Sequence, residues 1–190
     1  MKLSLNLIIL YNNRNISSHH CIIGDDFMST FLTHTEEYIK TFYLTIGISS
    51  PQDIQFLEIS NHLGISTFYW SEQSQALFTG NKRFILLNEN LSPQQQWQEF
   101  CHELAHVLLH TGDQFYMTPL FREYQEHKAN NFMYHACIPT FMLDELQIYD
   151  CTKKTVIKIQ ELFNVEYEFA LKRLTQYHNK LILQNQYHIT

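Results

Sequence analysis

The 190-residue chain reads as an α+β fold, mainly helical, with a small antiparallel three-stranded sheet packed beside one helix and a C-terminal helical hairpin. Three observations predict it. Apolar residues recur at helical spacing in several separate segments. Three short β-prone runs lie together between positions 65 and 87, two of them joined by the turn pair Gly80-Asn81. After them comes an apolar helical run that carries His102-Glu103-Leu104-Ala105-His106.

Composition narrows the functional classes. Hydrophobic residues at 45% and aromatics at 14% suit a folded globule, and five glycines with four prolines leave little room for long linkers. A formal net charge of −6 argues against broad binding to nucleic acid or to an anionic membrane. Cys21, Cys101, Cys137 and Cys151 form no C-x-x-C pair. Such scattered cysteines predict reduced thiols in a cytoplasm, with neither a disulfide framework nor a cysteine zinc site.

Residues 1–27 read as a poorly structured N-terminal extension, 28–176 as a single domain, and 177–190 as a tail with a short Leu181-Ile182-Leu183 strand. The apolar run at 3–11 is interrupted by Ser4 and Asn6, and no small-residue cleavage site follows, so it makes a poor signal peptide. It is also shorter than the roughly 20 apolar residues a bilayer span needs. Met28-Ser29-Thr30 offers a natural start.

From Thr35, the residues Tyr38, Ile39, Phe42, Tyr43 and Ile46 predict a helix stopped by Gly47. Ser50-Pro51 announces a second, with Phe56, Ile59 and Leu63 on one face and Gly64 at its end. Strands are expected over 65–70, 76–79 and 83–87, as scaffold or as an edge that pairs with an extended peptide. Ser92-Pro93-Gln94-Gln95 is then a well-formed helix entry, with Ser92 as N-cap, Pro93 in the first turn and Gln95 closing a capping box. The helix it opens is expected over 93–110.

Within that helix His102 and His106 stand on one face about 6 Å apart along the axis. Two imidazoles so placed can grip one metal ion, while Glu103 projects beside the ion, where a carboxylate can take a proton from an attacking water. A structural histidine pair is the competing account. Leu104, Ala105, Val107, Leu108 and Leu109 make the segment apolar, however, and unpaired polar groups on such a helix are costly. A metal removes that cost.

A hydrolytic zinc site takes a third protein ligand and keeps a fourth position open. The extended pattern H-E-x-x-H-x-x-G-x-x-H is absent, because Leu109 and Gly112 stand at its later positions. His110 lies about 12 Å of helix rise from His102, too far to share an ion bound through bonds of about 2 Å. Its expected place is a hydrogen bond near the site or the helix C-terminus. A helix over 120–136 carries Glu123, Glu126 and Asn130. Glu126 is placed to complete the metal site and Asn130, four residues on, to hydrogen-bond a liganding histidine, while Glu123 reads as a solvated charge. Ala129 is small enough to let the two helices pack closely.

These blocks, His102 to His110, then Glu126-His127-Lys128-Ala129-Asn130-Asn131-Phe132, then Cys137-Ile138-Pro139, resemble the core of the ImmA/IrrE metallopeptidases over positions 52–174. The resemblance implies that His102, His106 and Glu126 bind Zn2+ or another divalent metal and that Glu103 is catalytic. It further implies a cytoplasmic protease that cleaves a helix-turn-helix transcriptional repressor and so switches on phage or mobile-element genes. The alternative is a non-catalytic antirepressor that sequesters the repressor. Ala105 stands where glycine is frequent, and Met133-Tyr134-His135 replaces a more alanine-rich run, differences that bear on cleft shape. For the donor that holds the tetrahedral oxyanion, Tyr116, Tyr124, His127 and His135 remain unranked.

Beyond Pro139, helical spacing returns in Val156, Ile159, Leu162 and Phe163 and again from Phe169. Two helices around Asn164-Val165 invite comparison with a DNA-binding helix-turn-helix. Glu166 and Glu168 open the second helix, and only Lys172 and Arg173 follow, so packing or partner docking is expected instead of direct nucleic-acid contact.

Overall fold

A computed structural model describes residues 31–109 and 118–187. The expected N-terminal extension, His110 and Tyr116 lie outside the described residues.

Thr33 and Glu36 close a capping box at the start of α1 (His34–Thr45), the side chain of each bonding to the other's backbone N–H, and Gly47, at φ +81°, follows the helix. Ser50-Pro51 does not start the second helix. The Asp53 carboxylate collects the backbone N–H and hydroxyl groups of Ser49 and Ser50, which closes a separate 3-10 turn at Pro51–Asp53. Helix α2 (Phe56–Leu63) begins after it and ends at left-handed Gly64.

The sheet is mixed, which corrects the antiparallel expectation. Strands β1 (Ile65–Trp70), β2 (Gln75–Thr79) and β3 (Lys82–Asn88) lie in the order β1-β3-β2, with β1 parallel and β2 antiparallel to β3. Residues 71–74 carry the chain past one strand position, roughly 10 Å. The Gly80-Asn81 hairpin then returns β3 into the gap, in the direction of β1. Two bonds secure the crossing, from Glu89 N–H to the Trp70 carbonyl at 2.8 Å and from Asn88 N–H to Ser74 Oγ at 3.1 Å. Alternation of side chains reports which face is buried and carries no information about pairing direction.

The core faces of β1 and β3 (Ile65, Ile85 and Leu87) are buried, and β2 and β3 pack against α3 (Pro93–Leu109). Helix α3 opens through the expected box, Gln95 N–H to Ser92 Oγ at 3.2 Å and Ser92 N–H to Gln95 Oε1 at 3.1 Å. It packs along α4 (Pro119–Cys137), where Ala129 is fully buried.

The C-terminal half continues through α5 (Thr140–Glu145) to the hairpin of α6 (Lys153–Phe163) and α7 (Tyr167–Tyr187), turned at left-handed Asn164. The expected strand at Leu181-Ile182-Leu183 is instead part of α7. Three consecutive apolar residues have no period of their own. Here they extend a helix already anchored by buried Phe169, Ala170, Leu174 and Tyr177, by Lys180 against Glu36 at 2.6 Å, and by Gln184 on the Phe31 carbonyl. Arg173, one of the two bases counted for a recognition helix, is buried and donates to the Ile138 carbonyl and Thr140 Oγ1. No helix among the described residues is long and apolar enough to cross a membrane.

Candidate metal centre and cleft

His102 and His106 are one turn apart on α3, and the α3–α4 packing brings Glu126 to face them from α4. The two Nε2 atoms are 3.1 Å apart, Glu126 Oε2 is 3.2 Å from the first and Oε1 is 3.5 Å from the second. These three distances test whether a cation fits. Bonds of about 2.05 Å at tetrahedral angles place neighbouring ligand atoms about 3.3 Å apart. The two imidazole nitrogens stand near that separation, each faces a different oxygen of the Glu126 carboxylate, and one ligand atom from each of the three side chains lies within 4.8 Å of the others. A shared proton would satisfy one pair of these atoms, whereas a cation satisfies all three. Among the described residues this is the only such group of three His, Cys, Asp or Glu side chains.

Glu103 is 7% exposed and lines the same cleft as His102 and Glu126. Burial pushes its carboxyl up to about 7, with Glu99 and Glu126 adding to the rise, against an opposing hydrogen bond from the Ala76 backbone N–H on β2. The carboxyl therefore sits where it can exchange protons near neutrality before any cation is added. The cleft encloses about 680 Å³.

Other expected residues do not join the triad, although Asn130 lines the cleft. Asn130 donates its side-chain amide to the Glu126 main-chain carbonyl at 2.9 Å, supporting the turn that bears Glu126 and not a histidine ring. Glu123 is exposed and lies 3.8 Å from His127. Of the oxyanion-donor candidates, Tyr124 and His127 are exposed and outside the cleft lining. His135 faces Glu36, with Nδ1 3.7 Å from Oε1, and also lies outside that lining.

The wall opposite the triad escaped the sequence reading. It is made by Tyr134 on α4, by Glu166 just before α7, and by Glu168, Phe169 and Lys172 in its first turns. Gln98 and Gln95 on α3 hold it in place. Gln98 Oε1 accepts the Glu166 N–H at 2.8 Å, Gln98 Nε2 donates to one carboxylate oxygen at 3.1 Å, and Gln95 Nε2 donates to the other at 3.0 Å. The position of Gln98, four residues before His102, was a usable sign that it shares the helix face of the histidines. Nothing local marked Glu166 as its partner.

Comparison with known proteins decides the family. The M78 peptidase profile, described as an IrrE N-terminal-like domain, matches residues 53–175. The chain belongs to the M78 peptidase family. It is 40% identical over 153 residues to phage-like element PBSX protein XkdA of Bacillus subtilis, covering 80% of this chain and 77% of that one. It is also 34% identical over 149 residues to the uncharacterized protein YqaB of the same organism, covering 78% and 87%. A Mycobacterium tuberculosis transcriptional regulator matches in structure with a TM-score of 0.53 at 16% identity, over 74% of this chain and 46% of that one. This chain thus spans less than half of that regulator, and the likeness is one of fold.

Proposed function

We propose that this M78 chain is a cytoplasmic zinc-dependent endopeptidase that cleaves a helix-turn-helix transcriptional repressor and thereby releases phage or mobile-element genes. The observation that carries the reading is the clustering of His102, His106 and Glu126, one ligand atom from each within 4.8 Å of the others, beside a buried acid, Glu103. Similarity to a protein of a phage-like element supports the biological setting.

His102, His106 and Glu126 hold the ion. A divalent cation bound there supplies Lewis-acid polarisation of a peptide carbonyl and of water. Glu103 accepts the proton of the attacking water and delivers it to the departing amine nitrogen, so one carboxylate serves both halves of the reaction. The low-dielectric surroundings that raise its pKa make it a willing carrier in each direction. The Ala76 N–H aims the carboxylate. Met133, Tyr134 and Leu171, half-buried in the cleft lining, give the substrate an apolar surface, with the Tyr134 ring braced from behind by Phe169 stacked at 4.5 Å.

The test is incubation of the purified, zinc-loaded protein with the product of the adjacent repressor gene. Two fragments are expected. Loss of operator binding with the repressor intact would overturn the peptidase reading in favour of sequestration.

A further inference from the structure

We propose that the cleft selects a substrate segment in which a basic side chain neighbours an apolar one. The inference rests on the peptidase reading of the site and concerns what that site accepts. Glu99 on α3, Glu166 just before α7 and Glu168 in its first turn line the cleft, with Lys172 the one lysine or arginine in that lining. Glu103 and Glu126 together carry the charge that balances a divalent ion. The other three carboxylates exceed the single ammonium by two, leaving the substrate-facing lining with an excess of acidic side chains.

The lysine is itself engaged. Its Nζ lies 4.7 Å from the centre of the Tyr134 ring. Among the described residues no Lys or Arg lies within ion-pair distance of Glu99, Glu166 or Glu168. Glu166 is pinned through both oxygens by the neutral amides of Gln95 and Gln98, which fix its position without cancelling its charge. A cleft that holds uncompensated carboxylates beside the half-buried side chains of Met133, Tyr134 and Leu171 complements a guanidinium or ammonium on one residue and an apolar side chain on its neighbour. An acidic segment would meet repulsion at the same place.

The experiment uses the full chain as the zinc-loaded E103Q variant, so that binding is read without cleavage. Fluorescein-labelled peptides of Ala, Ser and Gly carry Phe-Arg, Phe-Gln or Ser-Arg at their centre, and affinity is measured by anisotropy. Phe-Arg should bind about fivefold more tightly than either of the others at low salt, and the advantage over Phe-Gln should fade as salt rises. Adding E99Q and E168Q should abolish the arginine advantage and keep the phenylalanine one. Adding E161Q on α6, outside the cleft lining, should change neither. Should the double variant misfold, E168Q alone, at an exposed position, should still reduce the arginine advantage. Equal affinity for the three peptides, no binding of any, or an arginine advantage that survives the glutamate changes would overturn the proposal. Because peptide binding is read on E103Q and repressor cleavage on the wild type, charge selection with a failed repressor assay would sink the peptidase reading alone, and cleavage without charge selection would sink this one.

Discussion

Gln98 holds Glu166 twice, accepting its main-chain N–H at 2.8 Å and donating to its carboxylate at 3.1 Å. Gln98 stands one turn before His102, so α3 carries both histidine ligand candidates and the clamp on Glu166.

Removing that clamp is expected to loosen the wall and leave the ion. Q98A strands the Glu166 N–H and one carboxylate bond in a part-buried place, which should cost about 1–3 kcal/mol in denaturant unfolding. Amide hydrogen exchange should accelerate in the first turns of α7, with zinc content unchanged. Unaltered exchange there would show that the clamp positions nothing.

E103Q removes the proton carrier and keeps the shape. Peptidase activity should fall by about 10²–10⁴-fold while zinc remains bound, as read by metal analysis of the purified variant. The cation-free protein offers a second readout. A folded carboxyl raised from 4.5 to about 7 contributes stability that is complete below pH 4.5 and is lost as pH rises through 7. Cation-free E103Q should therefore be more stable than cation-free wild type at pH 8, and the gap should close towards pH 5.

Zinc retention should depend on Glu126 as much as on the histidines. E126Q replaces the anionic ligand of the triad with a weak neutral one, and a chromophoric chelator should strip its ion at far lower concentration than from wild type. Stripping the wild type should lower its melting temperature, since a ligand present at about 1,000 times its Kd stabilises the folded state by about 4 kcal/mol. Equal zinc affinity in E126Q and wild type would remove Glu126 from the ligand set.

Away from the cleft, Glu36 ties α1 to the C-terminal helix. Burial works to raise its carboxyl, and hydrogen bonds from Lys180, Thr140 and the Thr33 N–H outweigh burial and hold it at about 2. A depressed carboxyl contributes stability that is present above its unfolded value of 4.5 and lost as pH falls towards 2. E36Q should destabilise the protein by about 3 kcal/mol at pH 7, with Lys180 left short of its partner. The difference from wild type should vanish across that acid window in pH-dependent urea unfolding. A constant difference over the whole range would assign the loss to packing.

By itself the sequence determined whatever depends on neighbours within a few residues. Ser92 and Gln95 cap α3, glycine stops α2, and His102 and His106 share a helix face because 3.6 residues make a turn. The tertiary structure alone decided relations between distant positions. Strand β3 enters between β1 and β2 and turns an expected antiparallel sheet into a mixed one. Leu181-Ile182-Leu183 is helical because the turns before it are anchored on the core and on Glu36, 144 positions from Lys180. Glu166 meets Gln98 across 68 positions. The physical reason is the range of the forces: periodicity and capping act within a turn, whereas pairing direction and clamp contacts depend on which surfaces the whole chain brings together.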